Sequence, residues 1–267
     1  MAKVLYLDRY IKEGTLYKTK SRVAFIIERI GTNSSGDAYL QIEEKRTGII
    51  DSTIAPIHTT SSNLLGPLDL GDLYYVIPPD TEFQFIGDSG SICRLIGKII
   101  LLDPGESLGS PYMSRFERQF DHYFTKYEAT LTLATDEVFK ADEERELALI
   151  KPDLNEMYKF YRYAGITSSG GTVSEGMFAL TIWYDGKPFE FIETEGFGPG
   201  IDIMNMPLPP ADSTNEIPFS FELQPLEVAD RHELSLRIRN ISGADQAPES
   251  GSAWSFTLKT IAEYIRK

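Results

Sequence analysis

The sequence predicts a mainly β protein: two antiparallel β-sandwich, jelly-roll-like modules with one short helix between or beside them. Three observations predict it. Apolar and polar residues alternate along many short stretches, the mark of half-buried strands. Clusters of Gly, Pro, Asn, Asp and Ser separate those stretches. Aromatic residues make up 12% of the chain, with 14 Tyr and 15 Phe, and such rings suit pleated, half-buried surfaces.

The first half gives the strands in order. Met1–Lys20 has weak pattern and reads as an extended N-terminal segment. "VAFIIERI" (23–30) and "DAYLQIEEK" (37–45) flank "GTNSSG" and predict a hairpin with a longer loop. "DLYYVIP" (72–78) follows a loop holding Gly66-Pro67 and Gly71. "TEFQFIG" alternates strictly, so Phe83 and Phe85 share one face. "SICRLIGKIILL" (91–102) runs into Asp103-Pro104-Gly105, a strong stop.

Between the halves, Phe116, Phe120, Phe124 and Tyr127 recur at helical spacing after Pro111, with Ser110 and Ser114 as candidate caps. From Tyr123 onward the pattern changes to period two. The expectation is a helix to about Asp121 and a strand beyond it, with the aromatic stripe packed in a core. The resulting division is residues 1–106, a connecting segment 107–121 with the helix, and residues 122–267.

In the second half "ERELALI" and "MYKFYRYAGI" predict strands around Lys151-Pro152-Asp153. "MFALTIWYDGKPFEFIE" predicts a hairpin closed by Asp185-Gly186, a pair that tolerates the positive φ values of a type I′ turn. "GFGPGIDIMNMPLPPADSTNEI" is a long Gly- and Pro-rich loop of the sort that binds or assembles. "PFSFEL", "HELSLRIRNISG" and "SAWSFTLKTIAEYI" predict three closing strands, the last ending in a helical turn. "GDSGS" (87–91) and "PESGS" (248–252) each precede a long final strand, and "IPPDTEF" and "LQPLEV" add a second echo; two related modules would give this pattern, and so would chance similarity among strand and turn residues.

Composition narrows the chemistry. The net charge of −14 and pI near 4.7 oppose direct nucleic-acid binding, which needs Lys and Arg on phosphates, and oppose anionic membranes. No run of about 18 apolar residues predicts membrane insertion, and no signal-peptide pattern opens the chain. Cys93 is the only cysteine, so no intrachain disulfide is available, and it reads as a buried small hydrophobe.

"GDSGS" differs by one residue from the Gly-Asp-Ser-Gly-Gly around the nucleophile of chymotrypsin-like proteases. A catalytic Ser89 would need a histidine base and an orienting aspartate. Only His58, His122 and His232 are present, and His58 with Asp69 or Asp72 leaves no room for two barrels before Ser89. The motif reads as a turn. Isolated histidines, one cysteine and the run "DEVFKADEERE" give neither zinc nor calcium-loop spacing, so no catalytic residue, cofactor or metal is assigned. Paired carboxylates such as Glu190 with Glu193 or Glu222 stand on patterns that ordinary strands share.

In overall style the chain resembles the jelly-roll and β-sandwich proteins of virions: capsid, decoration and tail components of viruses and phages. "DLYYVIPPDTEFQFIGDSGSICRLIGKIILLDPGE" and "HELSLRIRNISG…SAWSFTLKTI" carry the likeness. It implies a non-enzymatic structural component of a large homo-oligomer, with copies of itself and other assembly proteins as partners. The implied location is the virion, assembled in a host cytoplasm, or the cytoplasm if the protein is not viral. The alternative is a ligand-binding β-sandwich, for example for carbohydrate, with Tyr158, Tyr161 and Tyr163 as further stacking candidates. The candidate interaction residues are Trp183, Tyr184, Trp254, Phe197, Met204 and Met206.

Overall fold

Period-two patterning folds as it predicts, into strands with one apolar face. The computed structural model describes residues 2–60, 65–189, 193–194, 198–208, 219–223 and 225–267. It is mainly β, with antiparallel sheets and one α-helix. The chain divides into two compact units, Met1–Lys126 with Glu263–Lys267, and Tyr127–Ala211 with Glu216–Ala262.

The first unit contains β1 (Lys3–Lys12), β2 (Tyr17–Lys18), β3 (Val23–Thr32), β4 (Tyr39–Ile42), β5 (Lys45–Arg46), β6 (Leu68–Asp69), β7 (Tyr75–Ile77), β8 (Glu82–Ile86) and β9 (Ile92–Leu101). One sheet runs β1-β9-β3-β6 with β7 also on β3, and a second runs β2-β8-β4-β5. In β3 every residue from Ala24 to Ile27 is buried. Both faces of that strand are covered, which is what a continuous apolar run requires. Ala24 and Ile26 join Val76, Ile100, Leu102 and Leu108, against which Tyr112, Met113 and Phe116 of helix α1 (Ser110–Arg118) pack. Phe25 turns the other way and meets Phe83 of β8 edge-on, ring centroids 6.0 Å apart.

A bulge between Ile27 and Arg29 shifts the register of β3 on β9. Opposite it stands Gly97, where a Cβ would lie 2.0 Å from the Ile26 carbonyl oxygen, so no other residue fits without a backbone shift.

The expected hairpin of residues 23–45 does not form. β3 and β4 lie in different sheets, because a strand buried on both faces takes the middle of one sheet and its successor crosses to the other. "GDSGS" is likewise no hairpin loop but a corner, leading from β8 in one sheet to β9 in the other. Its turn closes with Ser91 N–H on the Asp88 carbonyl at 2.9 Å, and Gly90 holds φ +80°. The helix falls where expected and gives way to β10 (His122–Thr132). Its N-cap, however, is Gly109, with Pro111 in the first turn, so neither Ser110 nor Ser114 caps it. The weakly patterned N-terminal segment is in fact β1 and β2.

The second unit continues with β11 (Glu144–Ile150), β12 (Glu156–Ser169), β13 (Phe178–Tyr184), β14 (Lys187–Pro188), β15 (Glu193–Thr194), β16 (Gly198–Pro199), β17 (Ile201–Asp202), β18 (Leu226–Ala229), β19 (Leu234–Asn240) and β20 (Ser255–Arg266). Its sheets are β10-β20-β12-β18 and β11-β19-β13-β14, with β17 also on β13, and β15 pairs with β16. Phe178 is the hub of the core, with ring centroids 4.7 Å from Trp254, 5.1 Å from Phe256 and 5.3 Å from Phe139. The Asp185-Gly186 turn is as predicted, with φ +48° and +72° and Tyr184 opposite Lys187. "PFSFEL" supplies no strand among its described residues, only the bridge Ser220–Tyr163, and β20 stays extended to Arg266 instead of ending in a helical turn.

The two units share a strand order. In each, the final strand lies between the first and a central one: β1-β9-β3 and β10-β20-β12. The turns before those final strands also agree. Ser252 N–H closes on the Glu249 carbonyl at 2.9 Å, with Gly251 at φ +79°. The second sequence echo does not carry over: "TEFQF" becomes β8, next to β4, whereas "LEV" becomes β18, next to β12.

Candidate functional site

Alternation along β13 sends Phe178, Leu180 and Ile182 into the core and Trp183 to the outer face of its sheet. Trp183 is half-buried, and the guanidinium of Arg237 lies over its ring at 4.7 Å. The strand register sets Thr181 opposite Arg237, and Arg237 opposite Glu146. Arg237 also reaches Glu144 (3.3 Å) and the Ser235 hydroxyl (3.0 Å). Ser235 donates to Glu146 at 3.2 Å, and Thr181 donates to Glu144. The face is therefore one aromatic ring in a network of Arg, Glu, Ser and Thr in which Arg237 pairs with Glu144 and Glu146 accepts from Ser235.

Tyr184, next in sequence, belongs to the other face and packs against the core. Its ring stacks on His232, centroids 5.5 Å apart, and Asp185 Oδ2 lies 2.7 Å from His232 Nδ1. The Glu233 N–H first and His232 second hold the Asp185 carboxyl below the usual range, while burial raises the Tyr184 phenol. This Asp–His pair is a surface clamp between two strand ends. His122 is engaged separately, 2.5 Å from Glu263.

The remaining predicted residues do not join Trp183. Trp254 and Met206 are core residues, 2% and 0% exposed. They were expected at a surface because aromatic and Met side chains serve cores and binding faces alike; here the hub at Phe178 and the loop after β17 take them inward. Met204 is exposed, on the turn Ile203–Asn205, where Asp202 accepts its N–H. Phe197 and Glu190 lie outside the described residues. Tyr158 stacks on Phe160, whereas the buried Tyr163 donates to the Pro207 carbonyl, so the tyrosines of β12 form no common platform.

Ser89 is exposed at the tip of its turn. Asp88 beside it accepts from the Ser35 N–H, the Ser35 hydroxyl and the Gly36 N–H at 2.8, 2.8 and 2.9 Å, and those donors, Gly36 first, hold its carboxyl below the usual range. Asp88 is thus an anchor for the 33–36 loop. Cys93 is fully buried, and burial pushes its thiol far up, away from reactivity. Among the described residues no group of three or more His, Cys, Asp or Glu side chains is placed to hold an ion, and no helix is long and apolar enough to cross a membrane.

The surface that sequence reasoning missed is β1. Among the described residues it stands at the end of its sheet, paired with β9 alone, and exposes Val4 (58%), Leu5 (38%), Tyr6 (73%) and Tyr10 (51%). Leu7 and Ile11 face the core. Asp8 forms a two-pronged pair with Arg94 at 2.9 and 2.7 Å, which lowers the Asp8 carboxyl. The signal was present as buried Leu7 and Ile11 at even spacing in "KVLYLDRYIK", masked by the apolar residues on the opposite face.

No family model matches the chain, and no curated protein does. Among solved structures, a quasi-atomic model of the PBCV-1 virus capsid is similar over 99% of this chain and 94% of that one, at 11% identity and a TM-score of 0.33. The ANXUR2 extracellular domain from Arabidopsis thaliana is similar over 96% and 83%, at 7% identity and a TM-score of 0.27. At scores this low neither likeness bears on function.

Proposed function

We propose that this chain is a non-enzymatic structural component of a homo-oligomeric assembly, of the class that builds virus and phage particles. The observation that carries the reading is the open edge of β1. A ten-residue edge strand offers a row of backbone donors and acceptors, and monomeric proteins blunt such edges with charge, proline or bulges. Here the strand has no proline and its pairing with β9 has no bulge; of its charges Lys3 and Lys12 lie at the two ends, Asp8 is paired with Arg94, and Arg9 is the one exposed cation inside it. Its outer face carries Val4, Tyr6 and Tyr10 instead. Two β-sandwich units with such an edge suit a subunit that completes its sheets against copies of itself and other assembly proteins. A particle, in place of a compartment, is then its location. Mass photometry and sedimentation velocity of the purified chain test this: oligomers are expected, and a monomer up to high micromolar concentration overturns it.

A second reading, a ligand-binding β-sandwich for carbohydrate, is favoured by the half-buried Trp183 among hydrogen-bonding side chains on an outer sheet face. A monomer that binds a glycan array, with binding lost in Trp183→Ala, would establish it.

A further inference from the structure

We infer that the β1 edge is a two-fold seam: two copies of this chain pair antiparallel along β1, with Leu7 on the axis. The inference rests on the assembly reading above and adds the partner, the symmetry and the register. Backbone phase comes first. In an antiparallel strand the N–H and C=O of one residue point to the same side, and successive residues alternate. The Glu13 N–H donates to the Ser91 carbonyl, on the β9 side, at 3.0 Å. The Lys12 N–H does not; it donates to the Tyr17 hydroxyl at 3.1 Å. Odd-numbered residues of β1 therefore address β9, and the outward groups belong to Val4, Tyr6, Asp8 and Tyr10.

The extent of the open edge follows. Beyond Tyr10 the outward donors are taken, Lys12 by Tyr17 and Gly14 by the Phe85 carbonyl at 3.0 Å. Among the described residues the free run is Val4 to Tyr10, and its midpoint is Leu7. A second copy turned about a two-fold axis at Leu7 brings Val4 opposite Tyr10 of the partner subunit, and Tyr6 opposite Asp8 of the partner subunit. Each such pair exchanges both backbone hydrogen bonds, while the two Leu7 residues form the close, non-hydrogen-bonded pair. The core sides of the two sheets stay on one side, since Leu7 and Ile11 are buried and the even residues face out.

The neighbouring registers are poorer. Moving the axis to Asp8 sets two carboxylates opposite each other and requires the Lys12 N–H that Tyr17 already holds. Moving it to Tyr6 requires Ala2, which lies outside the strand.

Two experiments test the seam. Tyr6→Pro removes an outward N–H and leaves the β1–β9 ladder intact, as proline on an edge strand can. We expect the dimer dissociation constant by sedimentation velocity to rise at least tenfold, with the melting curve checked against wild type. Independently, Val4→Cys and Tyr10→Cys chains, both altered at exposed positions, are mixed and oxidised; the buried Cys93 stays silent. A disulfide-linked heterodimer is expected from the mixture and none from either chain alone. If Tyr6→Pro does not fold, the crosslink decides alone. A wild-type oligomer that shows no mixed crosslink, or that survives Tyr6→Pro in a folded chain, overturns the seam and leaves the assembly reading standing. A wild-type monomer overturns both.

Discussion

The side-chain amide of Gln119 bonds the backbone of Val76 as a neighbouring strand would. Its Oε1 accepts the Val76 N–H at 2.7 Å and its Nε2 donates to the Val76 carbonyl at 3.1 Å. Both residues are fully buried. One amide from the segment after α1 thereby closes the far side of β7, which pairs with β3 on its other side. At the end of the sheet where β6 and β7 both lie along β3, β7 is thus capped, whereas β1 at the other end has no such cap among the described residues. Gln119→Ala should cost about 2–6 kcal/mol in urea unfolding, since it strands two buried backbone groups at roughly 1–3 kcal/mol each. A cost below about 0.5 kcal/mol would mean that water replaces the amide.

The corner at Asp88 predicts a pH dependence. Hydrogen bonds from Gly36 and Ser35 favour the charged carboxylate, so its folded pKa is lowered. A group depressed on folding contributes stability above its unfolded value of about 4 and loses it as pH falls through the folded value. Asp88→Asn should therefore be less stable than wild type at pH 7, with the gap closing under acid. A gap that stays constant from pH 7 to 2 would sink the carboxylate account.

The flanks of that corner separate packing from surface. Phe85 is fully buried, and Phe85→Ala should cost roughly 3–5 kcal/mol. Ser89→Ala, at the exposed tip, should change stability by no more than about 0.5 kcal/mol. Labelling of Ser89 by a fluorophosphonate probe would contradict the turn reading.

Most strands were legible because period two and Gly-containing turns are local properties. Ile92–Leu101, Phe178–Tyr184 and the Asp185-Gly186 turn needed nothing beyond their own residues. Pairing was not legible. Val23–Thr32 and Tyr39–Ile42 sit one short loop apart, yet burial of both faces of β3 assigns them to different sheets. The site was less legible still. Trp183 and Trp254 look alike in sequence, and only the pleat decides that one faces outward and the other packs on Phe178. The open edge of β1 is a property of which neighbour is missing, and no local pattern encodes that.

The two tryptophans give the last prediction. Trp254 is 2% exposed, wedged against Phe178 and Phe256, and its indole N–H is buried without an acceptor among the described residues. Trp254→Ala should cost about 3–5 kcal/mol through the cavity it leaves. Trp254→Phe should cost clearly less, because the ring contacts are largely kept and an unpaired polar group is removed. Trp183→Ala should cost about 1 kcal/mol, chiefly the contact with Arg237 and partial burial. Its larger effect should be on any ligand taken by that face. If the two alanine variants unfold at the same urea concentration, the division into a core tryptophan and a surface tryptophan is wrong.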